Sequence, residues 1–496
     1  MNKRIQGPVR KEKPALLRLE EAFLIDWRAI ATFRFLLGIL LLFDSVTRMS
    51  DAYALYGNAG VVQDEFSQSK DSFSITYLLA HYGFHWSLAV LIAMLFSGIS
   101  FITGYQYKYF KVIGWIAVAA IQARNPWVNT GGDSIFRIIL FWNMFLSVEK
   151  TRGLVECSNQ LKSATLVKIS HICIIFQIMM IYLFSSLHKN HAMWRVEFTA
   201  VEAALSLVTF KGPAADFLLE FPGLLRVLTR SAVILQELGP ISWLIFYKNP
   251  HIRIGIVGLF LLFHLTTGLM LNIGWFPIVC MVAWVLFIPT PVWDRLFKIC
   301  RAKVIFSKVA EGGAPDSPFS CLLYQLRGLP ILILVLVFFW NLSNVSIPGF
   351  VGFGDTFAGQ VVRFVELQQR WPLFAPRPPT FDGIIFANTE VESKIRSYYP
   401  TGREFATAPP DKPARHYFSS RWHKYFHNLY SAREPELLRS YVSFFAREHN
   451  VKSAEIQLFV RVFPVEKKSF PEDILIFPFQ SINSEGKAVY SSEFPP

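Results

Sequence analysis

Apolar segments of membrane length recur along the first 340 residues, and this alternation constrains the fold more than any single motif. A bilayer core offers no water to backbone N–H and C=O groups, so a spanning segment must satisfy them as a helix or in a closed barrel. About 20 apolar residues are needed per helix, fewer where a helix is buried among others. Candidate spans are residues 28–48, 77–102, 110–121, 134–148, 170–187, 231–247, 252–271, 273–289 and 321–340. The third and fourth are short, and the linker 124–133 between them predicts a hairpin whose turn dips into the protein. Segments 196–210 and 217–228 are less apolar and read as a pair of interfacial helices or a re-entrant stretch. The expected fold is an all-α polytopic membrane bundle of about nine transmembrane helices, followed by a small C-terminal extramembrane α+β domain.

Apolar residues make up 52% of the 496 residues and charged ones 17%, below the roughly 25% usual in a soluble domain. The net charge of +13 is spread in short blocks between apolar runs, as the positive-inside rule produces, rather than in the stripe expected of a nucleic-acid binder. No nucleic-acid partner is expected, and membrane lipids are. The blocks are Lys3 to Arg18, Lys108 and Lys111, Lys150 to Lys168, Lys248 and Arg253, and Arg295 to Lys308. If all face the cytoplasm, an odd number of spans leaves the N-terminus cytoplasmic and the C-terminus extracytoplasmic, in a periplasmic, extracellular or ER-luminal space. The turn 125–133 and a polar island at 187–194 then share the outer side. The N-terminus carries no convincing cleavable signal. Cys157, Cys173, Cys280, Cys300 and Cys321 form no C-x-x-C pair and all precede the tail, so no thiolate metal site is expected.

Three regions follow: a basic cytoplasmic N-terminus (1–27), a transmembrane domain (28–340) and an extracytoplasmic tail (341–496). The tail opens with glycines and a proline-rich run, Gln369 to Pro379, whose aromatics suit a bilayer surface or another domain. Segment 419–447 reads as an amphipathic helix with Trp422, Phe426 and Leu429 on one face, and 455–463 as a strand.

Ionisable groups within or beside a span are costly and often functional. Lys189 in the island, with His188, His191 and Trp194, has two open roles: a snorkelling interfacial side chain, or a base. An amine withdrawn from water loses proton affinity, and the neutral form can take a proton from a weak carbon or oxygen acid. His191 is then a donor to a developing oxyanion and Trp194 an apolar wall. His264, inside the seventh span, either bonds another helix or lines a cavity. His81 and His85 share a helical face without an evident third metal ligand, and no metal is expected. Arg34 and Asp44 are intramembrane charges suited to pairing between spans. Asn125, Asn129 and Asp133 flank Gly131 and Gly132; the amides suit the polar groups of a ligand, and Asp133 equally suits a helix cap.

Three ordered signatures carry a resemblance. Arg124-Asn125-Pro126 runs on to Gly131-Gly132-Asp133 and Phe141-Trp142; Lys189 precedes Trp194 by five residues; Phe263-His264 precedes Ile273-Gly274-x-Phe276. Together with Gln369-x-Trp371-x-Leu373-Phe374-Ala375-Pro376 and Arg421-Trp422-x-Lys424-Tyr425-Phe426, this order resembles the HTTM family, which is related to the vitamin K-dependent gamma-carboxylase. The resemblance implies that Lys189 is the base that deprotonates reduced vitamin K or a related naphthoquinol. It also implies O2 and CO2 as co-substrates, and a glutamate of a secreted protein or peptide as the group carboxylated. His264 matches a family Phe-His pair, and Asn125 matches an asparagine that positions the hydroquinone. Asn125, Asp133 and Trp194 are accordingly expected at the quinol, with Lys189, His264 and His191 in the chemistry. Two departures stand out: Pro126 replaces the histidine that follows the asparagine in the carboxylase, and the tail is much shorter than the animal luminal portion. Some relatives assist maturation of secreted peptides, so a non-enzymatic protein aiding maturation or export of a peptide is the alternative. A transporter is weaker, since inverted repeats are not evident.

Overall fold

The computed structural model describes residues 23–62, 83–146, 160–300, 328–345, 352–391, 394–398, 419–432, 434–453, 456–464, 472–477, 481–482 and 488–489. The basic residues 3–18, His81, Lys150, Arg152, Cys157, Arg301, Lys303, Lys308 and Cys321 lie outside the described residues.

The first helix, α1 (Trp27–Met49), starts where the Asp26 side chain accepts the Arg28 backbone N–H. It is followed by the short α2 (Ala52–Tyr56) and packs along α3 (Gly83–Thr103). A Cβ at Gly38 would lie 2.8 Å from the Gly98 carbonyl oxygen, so only glycine permits this backbone approach. Close packing of small residues is the means by which membrane helices associate where lipid is as apolar as the side chains. The hairpin is present as α4 (Tyr107–Arg124), a 3-10 turn (Pro126–Val128) and α5 (Gly131–Asn143), and Asn125 and Val128 in its turn are fully buried.

A long helix α6 (Gln160–His188) leads into three short ones, α7 (Ala192–Arg195), α8 (Ala200–Ser206) and α9 (Ala215–Leu219). These precede α10 (Pro222–Ile245) and α11 (Pro250–Met270). After a tight turn at Gly274 come α12 (Phe276–Trp284), α13 (Thr290–Cys300), α14 (Leu329–Asn344) and α15 (Phe357–Phe364).

Two expectations are corrected here. Among the described residues, four helices are long and apolar enough to cross a membrane: Trp27–Met49, Phe84–Thr103, Ile169–His188 and Pro250–Met270. The bent pair Phe276–Phe287 and Thr290–Leu296, at 99° to each other, makes a fifth if counted as one span, so the described residues support four or five of the expected nine transmembrane helices. Helices α5 and α14 have 13 and 16 residues, too few for a full crossing. Helix α10 is long enough but carries Arg226, Arg230 and Glu237. The second correction concerns 217–228, expected as one member of an interfacial pair with 196–210 but divided between α9 and α10. From Pro222 it belongs to α10, because a proline in the first turn starts a helix with its φ already set.

The tail forms a four-stranded antiparallel sheet, ordered β2-β1-β3-β4, from β1 (Phe381–Val391), β2 (Lys394–Tyr398), β3 (Ile456–Pro464) and β4 (Glu472–Phe477). The expected single helix 419–447 is two, α16 (Ser420–Ala432) and α17 (Pro435–His449), since Pro435 cannot continue the first and instead opens the second. Trp422, Phe426 and Leu429 are buried, as their spacing predicts. The tail does not stand apart from the bundle. Tyr425 Oη donates to the Val61 carbonyl at 3.1 Å and Asn428 Nδ2 to that of Trp127 at 2.7 Å. Gln177 Nε2, from α6, donates to Gln369 Oε1 at 2.9 Å, and Trp371 is 1% exposed, so the proline-rich run is drawn into the protein rather than laid on a surface.

Candidate functional site

Between α6, α8, α10, α11 and the proline-rich run lies a cavity of about 130 Å³, lined mainly by apolar and aromatic side chains. Phe263, Phe276, Trp194, Trp371, Leu373 and Phe374 give it walls and a roof, and Trp194 Nε1 holds the roof by donating to the Phe374 carbonyl at 3.0 Å. Few polar groups converge on it: Lys189, Ser185, Gln236, His264, Thr266 and Thr267. Both threonine hydroxyls are occupied by carbonyls of their own helix. A greasy cleft with a small set of polar groups is the usual form of a small-molecule site.

Lys189 follows the last turn of α6 and is 3% exposed. Its Nζ donates to Ser185 Oγ at 2.8 Å, the Ser185 carbonyl at 3.0 Å and Gln236 Oε1 at 3.2 Å, all neutral oxygens. The nearby carboxylate, Glu237, is engaged instead by Arg195 at 2.6 Å. Burial therefore pushes the Lys189 amine down from 10.5 to about 7, and the Arg195 guanidinium adds to the effect. The Trp194 ring, 5.2 Å from Nζ, offers the cation a quadrupolar partner that carries no net charge.

His264 is fully buried. Its Nε2 shares a 2.7 Å hydrogen bond with Tyr182 Oη, which also accepts the Trp284 indole N–H at 2.6 Å. The other nitrogen, Nδ1, has no hydrogen-bond partner among the described residues. An unsatisfied ring nitrogen on the wall of a cavity is costly without a ligand and useful with one, as donor or acceptor according to tautomer.

The structure brings Lys189, Trp194 and His264 together and leaves the other expected site residues outside. His191 is half-buried and caps α7, its Nδ1 accepting from the Met193 N–H at 3.3 Å. Asn125 spends both ends of its amide on the turn, donating to the Leu55 carbonyl at 2.8 Å and accepting from the Trp127 N–H at 3.1 Å. Asp133 forms a capping box with Thr130 and binds Arg48 at 2.6 Å. Arg48 also pairs with Asp44 at 3.0 Å, and Arg421 of α16 reaches the same Asp44. Two guanidinium groups and two carboxylates thus form a buried lock between α1, α5 and the tail. Asn125 and Asp133 are therefore held by structural partners and do not line the cavity. Gly132, beside Asp133, lets α5 approach the backbone of Phe276, a cavity wall, where a Cβ would come within 2.8 Å of the Phe276 nitrogen.

Sequence reading overlooked Tyr182, Ser185 and Gln236. Signals existed for two of them. Ser185 and Tyr182 precede Lys189 by four and seven residues, one and two helical turns on the same face. Gln236, on another helix, offered only its polarity within an apolar run. Among the described residues no group of three His, Cys, Asp or Glu is disposed to hold a metal.

No curated protein and no solved structure matches the chain. The model of the HTTM domain matches residues 24–293 of the 496, more than half of the sequence and the whole of the cavity except its proline-rich roof. The chain belongs to the HTTM family.

Proposed function

We propose that the cavity takes a membrane-soluble quinol, reduced vitamin K or a related naphthoquinol, and that the protein is a gamma-glutamyl carboxylase-like enzyme acting on a secreted protein or peptide. The observation that carries this reading is a buried lysine that has, among the described residues, no carboxylate partner, in one cavity with a histidine whose Nδ1 none of them satisfies. A quinol has two hydroxyls on a flat apolar ring. The lining has the matching division, with Lys189 and His264 as polar groups among Trp194, Phe263, Phe276 and Trp371.

Lys189, neutral in about half of the molecules near pH 7, takes the proton of a phenolic hydroxyl. A phenol near 10 makes this transfer unfavourable by about 3 units, or on the order of 4 kcal/mol. Two features offset that cost: the ammonium created beside the phenolate in an apolar cavity, and a hydrogen bond from His264 Nδ1 to the oxyanion. Tyr182 and Trp284 hold the His264 ring in place. The deprotonated quinol with O2 would supply the strong base needed to remove a glutamate γ-proton before CO2 adds, and the aromatic walls would keep water from quenching it. An extracytoplasmic orientation of the tail is part of this proposal, since the polypeptide substrate is a secreted one.

The test is saturable binding of a naphthoquinol to detergent-purified protein, followed by epoxide formation and gamma-carboxyglutamate in a co-expressed secreted protein. Loss of binding in His264→Ala and loss of epoxidation in Lys189→Ala are expected. Equal binding by wild type and both variants would mean partition into detergent. Saturable binding without epoxidation of any quinol would favour the maturation role.

A further inference from the structure

Near the opposite end of α1 from the buried lock, a cationic cluster surrounds the turn between α3 and α4. Arg34 is 3% exposed, yet among the described residues its Nε and Nη2 have no hydrogen-bond partner and it forms no ion pair. Its guanidinium carbon lies 4.7 Å from the centre of the Tyr107 ring, and Lys111 Nζ lies 6.0 Å from the same centre. Lys111 likewise has no carboxylate partner among the described residues. Tyr107 Oη donates to Asn143 Oδ1 at 3.0 Å, and the Asn143 amide nitrogen is buried without an acceptor. Two cations and three unused N–H donor atoms thus converge on one tyrosine, and the described residues supply no anion. Leaving a buried guanidinium unpaired costs several kcal/mol, so an anion from outside the protein is the natural complement.

The surroundings fix what kind of anion. Helix α3 is long and apolar enough to cross a membrane and ends at Thr103, which sets the turn at the edge of the hydrocarbon if it does. Tyr105 and Tyr109 point outward, 74% and 53% exposed, as do the tyrosines that sit at headgroup level in membrane proteins. Phe35 and Ile113, both more than a third exposed, continue an apolar outer surface from the same helices. Gly104, in the left-handed region at φ 80°, keeps its Cβ position open 3.4 Å from Arg34 Nη2, where a side chain would crowd the guanidinium. A guanidinium fork binds phosphate through two parallel hydrogen bonds, and an ammonium adds a point charge.

We propose that Arg34, Lys111 and the Asn143 amide form a binding site for the phosphate of an anionic phospholipid, whose acyl chains lie along the exposed faces of α1 and α4. The site is independent of the Lys189 cavity and tethers the α3–α4 turn to one leaflet.

Native mass spectrometry and thermal unfolding of the full chain in nonionic detergent, titrated with phosphatidylglycerol or phosphatidylcholine, test it. Wild-type protein should retain phosphatidylglycerol in preference and gain about 5 °C in unfolding midpoint beyond the effect of phosphatidylcholine. Arg34→Gln and Lys111→Gln should each weaken retention roughly tenfold, the loss expected for one charge-assisted hydrogen bond. Lys111 is half-buried, so Lys111→Gln remains informative should Arg34→Gln fail to fold. Equal retention of the two lipids, or unchanged phosphatidylglycerol binding in Lys111→Gln, overturns the site. An identical thermal gain from inorganic phosphate alone overturns the lipid headgroup as its occupant.

Discussion

Replacing Lys189 by arginine keeps a cation and most of the length, but removes the ability to become neutral at working pH. An amine at 10.5 is free base in about one molecule in 3,000 at pH 7, whereas one at about 7 is free base in about half. Burial therefore raises the population of competent base by roughly a thousandfold, at a cost to charging on the order of 5 kcal/mol. The assay is naphthoquinol epoxidation by purified protein across pH 5.5 to 10, with each variant first checked to be monodisperse. Wild-type kcat/KM should rise with pH and level off above about 7, since deprotonation creates the base. Lys189→Arg should fall by about 10³ at every pH, within the range for loss of a positioned base. Lys189→Ala should fall similarly and recover with a small primary amine, in proportion to the amine's neutral fraction. An active Lys189→Arg enzyme, or a wild-type profile still climbing to pH 10, would refute the reasoning and return Lys189 to a structural role.

Lys189→Met should raise the unfolding midpoint at pH 7. The native amine is at about 7 and the unfolded one at 10.5, so unfolding takes up a proton between these values and wild-type stability rises with pH across that window. The advantage of Lys189→Met should shrink from pH 7 to pH 10, and a pH-independent difference would contradict the lowered amine. Arg421→Met strips one of two cations from the buried lock, leaving Asp44 and Asp133 to share Arg48, and should cost about 3–5 kcal/mol, measured as a lower unfolding midpoint. A surviving Arg421→Met protein with unchanged midpoint would show the lock to be neutral in energy. A reporter fused after Pro496 should read as extracytoplasmic, and a cytoplasmic signal would remove the secreted substrate from the proposal.

The sequence by itself determined the membrane class, the hairpin at 124–133, the interruption after α6 and the change of character after residue 340. Each rests on local composition: apolar runs dictate helices in lipid, and glycine and proline mark their ends. It also singled out Lys189, His264 and Trp194, because an amine or imidazole at membrane depth is conspicuous in any apolar string. What it misjudged depends on partners distant along the chain. Among the described residues only four or five of the nine expected spans are found, in part because length and hydropathy do not reveal where a helix is bent, as at the 99° break after Phe287. Asn125 and Asp133 looked available for a ligand, yet their partners are Leu55, Trp127 and Arg48; Arg48 in turn holds Asp44, which a tail arginine, Arg421, also binds. Only tertiary structure set Gln236, 47 residues away, against Lys189, and Trp371 over the cavity from a run that reads as loop. The lowered proton affinity of Lys189 is a property of that enclosure. The side chain supplies the amine, and packing between elements buries it among the neutral oxygens of Ser185 and Gln236.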